Sequence, residues 1–205
     1  MKDLDHERKP SLRISHIVYG RESRGRRVVY LLDPKGEGER KEIAEKVVLT
    51  RWRQRKFSGY AFSGDRLSPN LWRALSLVFG DDVFQWTKHS PAELQIIVEM
   101  KREELRRRKL SVPSANVLWA LLQVCGPERL SKLIARHNNC IVVAQYGVPD
   151  LFLYAINNET GLPSIARSVE VKKPEERVST DQRNEIAFLQ ALGLHARVLR
   201  LVERE

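Results

Sequence analysis

Asp150 follows a proline in the stretch Gly-Val-Pro-Asp, residues 147–150, and a later stretch, 168–172, reads Ser-Val-Glu-Val-Lys, with Glu170 and Lys172 two apart. Buried strands are normally apolar, so an acid at the mouth of one strand and an acid–lysine pair on the next need a reason. Glu170 and Lys172 point to one face of their strand, and Val171 to the other. If the strand opening at Asp150 pairs with it, two carboxylates and an ammonium converge. Carboxylates that close repel and raise a pKa unless a cation neutralises them. Hard oxygen ligands select Mg²⁺ or Mn²⁺ over Zn²⁺, and the main-chain carbonyl of Val171 is placed as a further ligand beside Asp150 and Glu170. Such a metal polarises a phosphodiester and lowers the pKa of a bound water, while Lys172 orients that water or stabilises developing charge. The chemistry implied is phosphodiester hydrolysis.

On its own, Glu-x-Lys is more commonly a surface salt bridge, with Asp150 merely ending a loop. The Gly-x-Pro-Asp turn shifts the balance. So does Arg-Val-Ser-Thr-Asp-Gln, residues 177–182, which starts a helix beside the site and supplies Arg177, Ser179 and Gln182.

The elements that must position these residues read as follows. Two β-rich segments, 12–20 and 26–33, are joined as a hairpin by Arg-Glu-Ser-Arg-Gly-Arg, and Gly36 and Gly38 mark a loop. From Lys41 the pattern is helical, with Ile43, Val47 and Leu49 inward. Residues 57–70 read as a turn-rich break. A short apolar helix follows, with Ser68 as N-cap and Gly80 as the stop. Ser90-Pro-Ala-Glu93 opens a helix that ends in the basic run Arg106–Lys109. Two more helices divide at Gly126-Pro127. Strand-like stretches follow at 140–147, 150–156 and 168–172, then a helix closing on Gly193 and a last strand at 195–202. This order predicts an α/β domain with a mixed sheet covered by helices. Its expected organisation is an N-terminal β-rich element (1–45), a helical basic segment (46–114) and a core (115–205).

The 205 residues carry 36 Lys and Arg against 26 Asp and Glu, a net charge of +10, so an anionic partner is expected, nucleic acid first among them. Two cysteines, Cys125 and Cys140, are too few for a disulfide framework and have no metal-ligand spacing, which points to a reducing, intracellular setting. No secretory signal and no membrane-spanning run is read. Candidate phosphate contacts are Arg51, Arg53, Arg55 and Lys56, the Arg106–Lys109 run and Arg24–Arg27, each also readable as a solvated helix end or hairpin tip. Trp52, among arginines, is a candidate base-stacking residue. Trp72, Trp119 and Phe79 read as core, and His137 and His195 as lone histidines.

The stretch from Gly147 to Val202 resembles the VRR-NUC branch of the PD-(D/E)xK nucleases, whose motif runs Gly-x-Pro-Asp, then (D/E)-x-K, then an Arg-Leu-Ser-x-x-Gln-like helix start. It is most similar to the Fanconi-associated nuclease family, with looser likeness from about residue 115 and weaker likeness before it. The resemblance implies a restriction-endonuclease-like fold, with Asp150 and Glu170 as metal ligands, Lys172 as the catalytic lysine and Gln182 bracing the site. It also implies a Mg²⁺- or Mn²⁺-dependent nuclease on flapped or branched DNA in repair, with exonuclease action from a 5′ end, and Lys173, Arg177 and Ser179 near the phosphates. Three departures stand out. The family's early acidic ligand falls at Ser63, with Asp65 the nearest substitute. Lys173 replaces a glycine, and the loop 157–163 is long. Alternatives are a catalytically degenerate nucleic-acid binder, a nuclease toxin countered by an immunity protein, and a basic protein-interaction domain. A protein partner supplying substrate selectivity is a further expectation. The location follows the host: nuclear in a eukaryote, cytoplasmic in a bacterium.

Overall fold

The structure, a computed structural model, describes residues 17–21, 28–32, 43–80, 82–139, 147–173 and 176–201. Strands β1 (Ile17–Arg21) and β2 (Val28–Leu32) pair antiparallel, Ile17 opposite Leu32. The connecting turn, the Arg24–Arg27 run, the Gly36–Gly38 loop and the stretch 140–146 with Cys140 lie outside the described residues.

The domain is α/β, built on a four-stranded mixed sheet in the order β3-β4-β5-β6. Strands β3 (Tyr60–Arg66), β4 (Leu151–Asn157) and β5 (Pro163–Lys172) run antiparallel, and β6 (Ala196–Arg200) lies parallel to β5. The connection from β5 to β6 is helix α7 (Thr180–Ala191). Between β3 and β4 come α2 (Leu71–Phe79), α3 (Val83–Trp86), α4 (Pro91–Met100), α5 (Arg102–Arg107) and α6 (Ala115–Asn139), while α1 (Ala44–Arg53) precedes β3. Because β3 is paired in register with β4, sheet and core cross the 114/115 boundary.

Alternation along the strands makes two cores. Leu151, Leu153, Val169, Val171 and Leu199 face α1, meeting Ala44, Val47, Val48 and Trp52. Phe152, Tyr154 and Ala196 face the other way, onto Leu118, Leu122, Leu130 and Leu133 of α6, Ile186 and Leu189 of α7, and Leu71, Trp86 and Leu94 beyond them. A smaller cluster of Ala74, Val78, Leu105 and Leu110 closes the helical side.

Several expectations are corrected. The turn-rich break at 57–70 contains β3. Its glycine is required by contact rather than by a turn: a Cβ at Gly64 would stand 2.6 Å from the Phe152 carbonyl oxygen. Ile43 is exposed and occupies the N-cap of α1, ahead of its apolar stripe. Asn70, not Ser68, precedes α2, although Gly80 does end it with φ 71°. The capping box of Ser90 and Glu93 is formed. Gly126, at φ 66° and ψ 166°, breaks α6 just ahead of Pro127. Gly193 follows α7 at φ 75°. The long loop 157–163 closes at the end of the sheet away from Asp150, with Asn157 Oδ1 accepting the Glu159 N–H at 2.8 Å. Among the described residues no helix is long and apolar enough to cross a membrane.

Candidate active site

The β4–β5 ladder ends at the pair Leu151 and Val169. Asp150, just before β4, and Glu170, just past that pair, are therefore the next cross-strand neighbours, on one face of the sheet. Each carboxyl bears on the titration of the other. Val171 N–H, with no strand residue left to pair, donates to Asp150 Oδ2 at 2.8 Å. The Val171 carbonyl leaves the strand on the same edge as its N–H, toward Asp150, and its side chain is buried against α1. Lys172 Nζ lies 2.9 Å from Glu170 Oε1. The Gln182 side-chain amide also donates to Glu170 Oε1.

Gln182 reaches that oxygen because it is the third residue of α7. Ser179 is the N-cap: its N–H donates to Gln182 Oε1 at 2.9 Å and its hydroxyl accepts the Gln182 N–H at 3.1 Å. This reciprocal box fixes the side chain with its NH₂ turned to Glu170.

The pair is electrostatically loaded. Glu170 is 2% exposed. Burial is the main cause that pushes its carboxyl up to about 7; the Asp150 charge adds to this and Lys172 opposes it. Burial also raises the Asp150 carboxyl, against the Val171 N–H and Lys172, and the charge of Glu45 raises it further. Glu45, in the first turn of α1, is an acid whose charge bears on Asp150 and which residue patterns alone missed. Its helix packs on the face that carries Leu151, Val169 and Val171, opposite the acids. Only the signal of an acid at a helix start was available. Asp65 instead accepts the N–H of its neighbour Arg66 at 2.8 Å, and stands opposite Phe152. Ser63 stands opposite Tyr154.

Among the described residues no three His, Cys, Asp or Glu side chains form a ready-made cation cluster. The donors on this edge are the two cross-strand neighbouring carboxyls and the main-chain oxygen of Val171. All are hard oxygens, and the Lys172 ammonium now offsets part of their charge. Such a set suits Mg²⁺ or Mn²⁺.

The basic residues divide into two places. Lys173, Arg177 and Ser179 lie on the stretch from β5 to α7, beside the acids; Lys173 is 3.5 Å from Glu176. Arg51, Arg53, Arg55 and Lys56 lie at the other end of α1, where the rise of 1.5 Å per residue puts Arg51 about 9 Å along the axis from Glu45. Arg53 donates to the Gly64 carbonyl. Arg55 lies 5.5 Å from the Trp52 ring centre. Sequence patterns missed Arg167 and Arg197, on neighbouring strands: burial first, then the charges of Arg197 and Arg55, push the Arg167 guanidinium down to about 10. Trp52 is not a stacking platform. It is 2% exposed, and its Nε1 donates to Ser63 O at 2.8 Å and to Tyr154 O at 3.0 Å. In the Arg106–Lys109 run, Arg108 lies 3.0 Å from Glu104 and Arg106 lies 3.7 Å from Glu103. His137 is not a lone histidine, since its Nε2 is 3.0 Å from Glu185 Oε1.

Residues 91–203 match the sequence profile of the VRR-NUC domain. Among solved structures, paFAN1 bound to 2nt 5′ flap DNA with a gap is similar with a TM-score of 0.50 and 15% identity, over 85% of this chain and 37% of that one. The complex of paFAN1 with 1nt 5′ flap DNA gives 0.52 and 15%, over 82% and 36%. At that identity the likeness is one of fold, and the chain spans little more than a third of those proteins. No curated protein matches it in sequence.

Proposed function

Because the chain belongs to the VRR-NUC domain family, as the match over residues 91–203 shows, we propose that it is a metal-dependent, structure-sensitive DNA nuclease. Its reaction is hydrolysis of phosphodiester bonds in flapped or branched DNA. The observation that carries this reading is the meeting of Asp150, Glu170 and Lys172 at the open end of the β4–β5 ladder, braced by Gln182.

Asp150, Glu170 and the Val171 carbonyl would hold a Mg²⁺ or Mn²⁺, and Glu45, whose charge bears on Asp150, is our candidate for the third acid, with Asp65 the alternative. The bound cation supplies Lewis-acid polarisation of the phosphate and a water of lowered pKa. The chain's own groups do the rest. Lys172 Nζ moves from its ion pair with Glu170 to a non-bridging phosphate oxygen, where it stabilises charge developing in the transition state. Gln182 keeps Glu170 Oε1 turned to the site. Lys173, Arg177 and the Ser179 hydroxyl meet the backbone phosphates beside the scissile bond, and Arg51, Arg53, Arg55 and Lys56 hold more distant ones. The intact Asp150, Glu170 and Lys172 favour an active enzyme over a degenerate binder. The flap preference rests on likeness to a protein seen with 5′ flap DNA, and a 5′ exonuclease activity and a repair role follow the same analogy.

The test is cleavage of labelled 5′ flap, splayed-arm, single-stranded and plain duplex DNA, with an RNA counterpart, in Mg²⁺ or Mn²⁺ and in chelator. Wild type should cut DNA only with the cation. Asp150→Ala and Lys172→Ala should each lose at least about 10²-fold in rate, the size of effect seen when a charge-stabilising group is removed. A wild type that binds these DNAs yet leaves them whole under every cation would sink the enzyme.

A further inference from the structure

Next to the acidic pair lies a second ionic cluster that the cleavage chemistry does not use. Glu185 of α7 is 1% exposed, and both of its carboxylate oxygens are engaged from α6. Arg136 Nε donates to Oε2 at 3.0 Å, and His137 Nε2 lies 3.0 Å from Oε1. The Arg136 guanidinium also sits 4.4 Å from the centre of the Phe188 ring, one turn along α7. The His137 ring centre is 5.8 Å from that of Trp72. Burial by itself would raise the Glu185 carboxyl, but the hydrogen bond and charge of His137, then those of Arg136, outweigh it and hold the group below the ordinary glutamate range. A hydrophobic residue of similar volume would pack two helices at least as stably. What a buried ionic cluster adds is a fixed relative placement of α6 and α7.

That placement governs both halves of the acidic pair. Gln182, one turn before Glu185, holds Glu170. Gly147, which opens the Gly-Val-Pro-Asp turn, packs on the same stretch of helix: a Cβ there would stand 2.9 Å from Glu185 Cβ and 3.2 Å from the Asp181 carbonyl oxygen. The turn continues through buried Val148 to Asp150. Asp150 is pinned at two atoms, its carbonyl accepting the Leu67 N–H at 2.8 Å and its Oδ2 the Val171 N–H at 2.8 Å.

We propose that Glu185, clamped by Arg136 and His137, is a positioning residue for the acidic pair: it sets the seat of α7 and, through Gly147 and Gln182, the placement of Asp150 against Glu170. The consequence for catalysis rests on the nuclease reading, whereas the placement itself exists in the cation-free protein.

Amide hydrogen exchange of the cation-free protein tests it, with thermal unfolding alongside. In Glu185→Gln, and in Gly147→Ala, which pushes on the same contact from the other side, the Leu67 and Val171 N–H groups should exchange at least tenfold faster. The Ser168 and Leu201 N–H groups, which bond His195 O and Lys172 O and tie β5 to the last strand, should keep their wild-type rates. Arg136→Lys, which retains a cation, should stay close to wild type at all four. Unchanged exchange at Leu67 and Val171, or a uniform increase that merely follows the fall in Tm, overturns the proposal. On the same preparations kcat for the 5′ flap should fall at least fivefold in Glu185→Gln with KM held within twofold; local loosening with kcat unaltered also overturns it. A wild type that does not cut fails the nuclease reading alone, and the exchange rates still decide the clamp.

Discussion

Gln182 bonds Glu170 with its amide nitrogen and the Ser179 N–H with its amide oxygen, so one side chain both caps α7 and braces the more buried acid of the pair. The two roles separate by mutation. Gln182→Ala removes both: urea unfolding should show a loss of about 1 kcal/mol, the usual size for a cap, and cleavage should fall at least about tenfold. Gln182→Glu keeps the capping oxygen but sets an acid against Glu170 in place of a donor. Its cleavage should fall as far as that of the alanine variant, with the cap retained. A Glu variant that cuts at the wild-type rate removes the brace from the mechanism.

Trp52 separates packing from DNA contact. Buried between α1 and the sheet, it donates to two main-chain carbonyls, and its ring meets Phe62 edge-on at 5.0 Å. Trp52→Phe leaves the Ser63 and Tyr154 carbonyls short of a donor, and should lower stability by about 2 kcal/mol. Affinity for single-stranded DNA should stay within twofold of wild type. A tenfold loss of affinity at unchanged stability would return Trp52 to the nucleic-acid surface.

The tail of the domain was legible from local pattern, because strand periodicity and capping chemistry are local. Glu170 and Lys172 share a face by simple alternation, and Ser179 with Gln182 is a capping box three residues apart. What local pattern could not show is what tertiary contact decides. Tyr60–Arg66 contains Ser, Gly and Asp and reads as a turn, yet pairing with β4 and side-chain donation from Trp52 and Arg53 hold it as an edge strand. His137 has no partner by spacing, since Glu185 reaches it from 48 residues away. Glu45 was hidden for the same reason: its helix lies across the sheet from the strands that carry the other acids.

The third acid can be assigned by paired substitutions. Glu45 acts on Asp150 through space, whereas Asp65 is turned to the Arg66 N–H. Glu45→Gln should weaken Mn²⁺ binding, followed by calorimetry, about tenfold and reduce cleavage by at least as much. Asp65→Asn should leave both within threefold. The reverse pattern would move the third acid to β3.

The Glu185 cluster carries a defined pH signature. Its carboxyl, held low by His137 and Arg136 against the effect of burial, titrates below the ordinary glutamate value of about 4.3. A carboxyl whose folded-state pKa is depressed stabilises the fold above its unfolded pKa, and that contribution is lost as pH falls through the folded value. Wild type should therefore exceed Glu185→Gln in stability by on the order of 2 kcal/mol at pH 6. That is less than the 3–5 kcal/mol typical of breaking a fully buried pair, because the Arg136 side chain is 29% exposed and can rehydrate. Urea unfolding at pH 6, 5, 4 and 3 should show the two proteins converging below pH 4, as protonation of Glu185 makes wild type resemble its neutral variant. A stability difference as large at pH 3 as at pH 6 would mean that the shape of the side chain, and not its charge, holds α7 against α6.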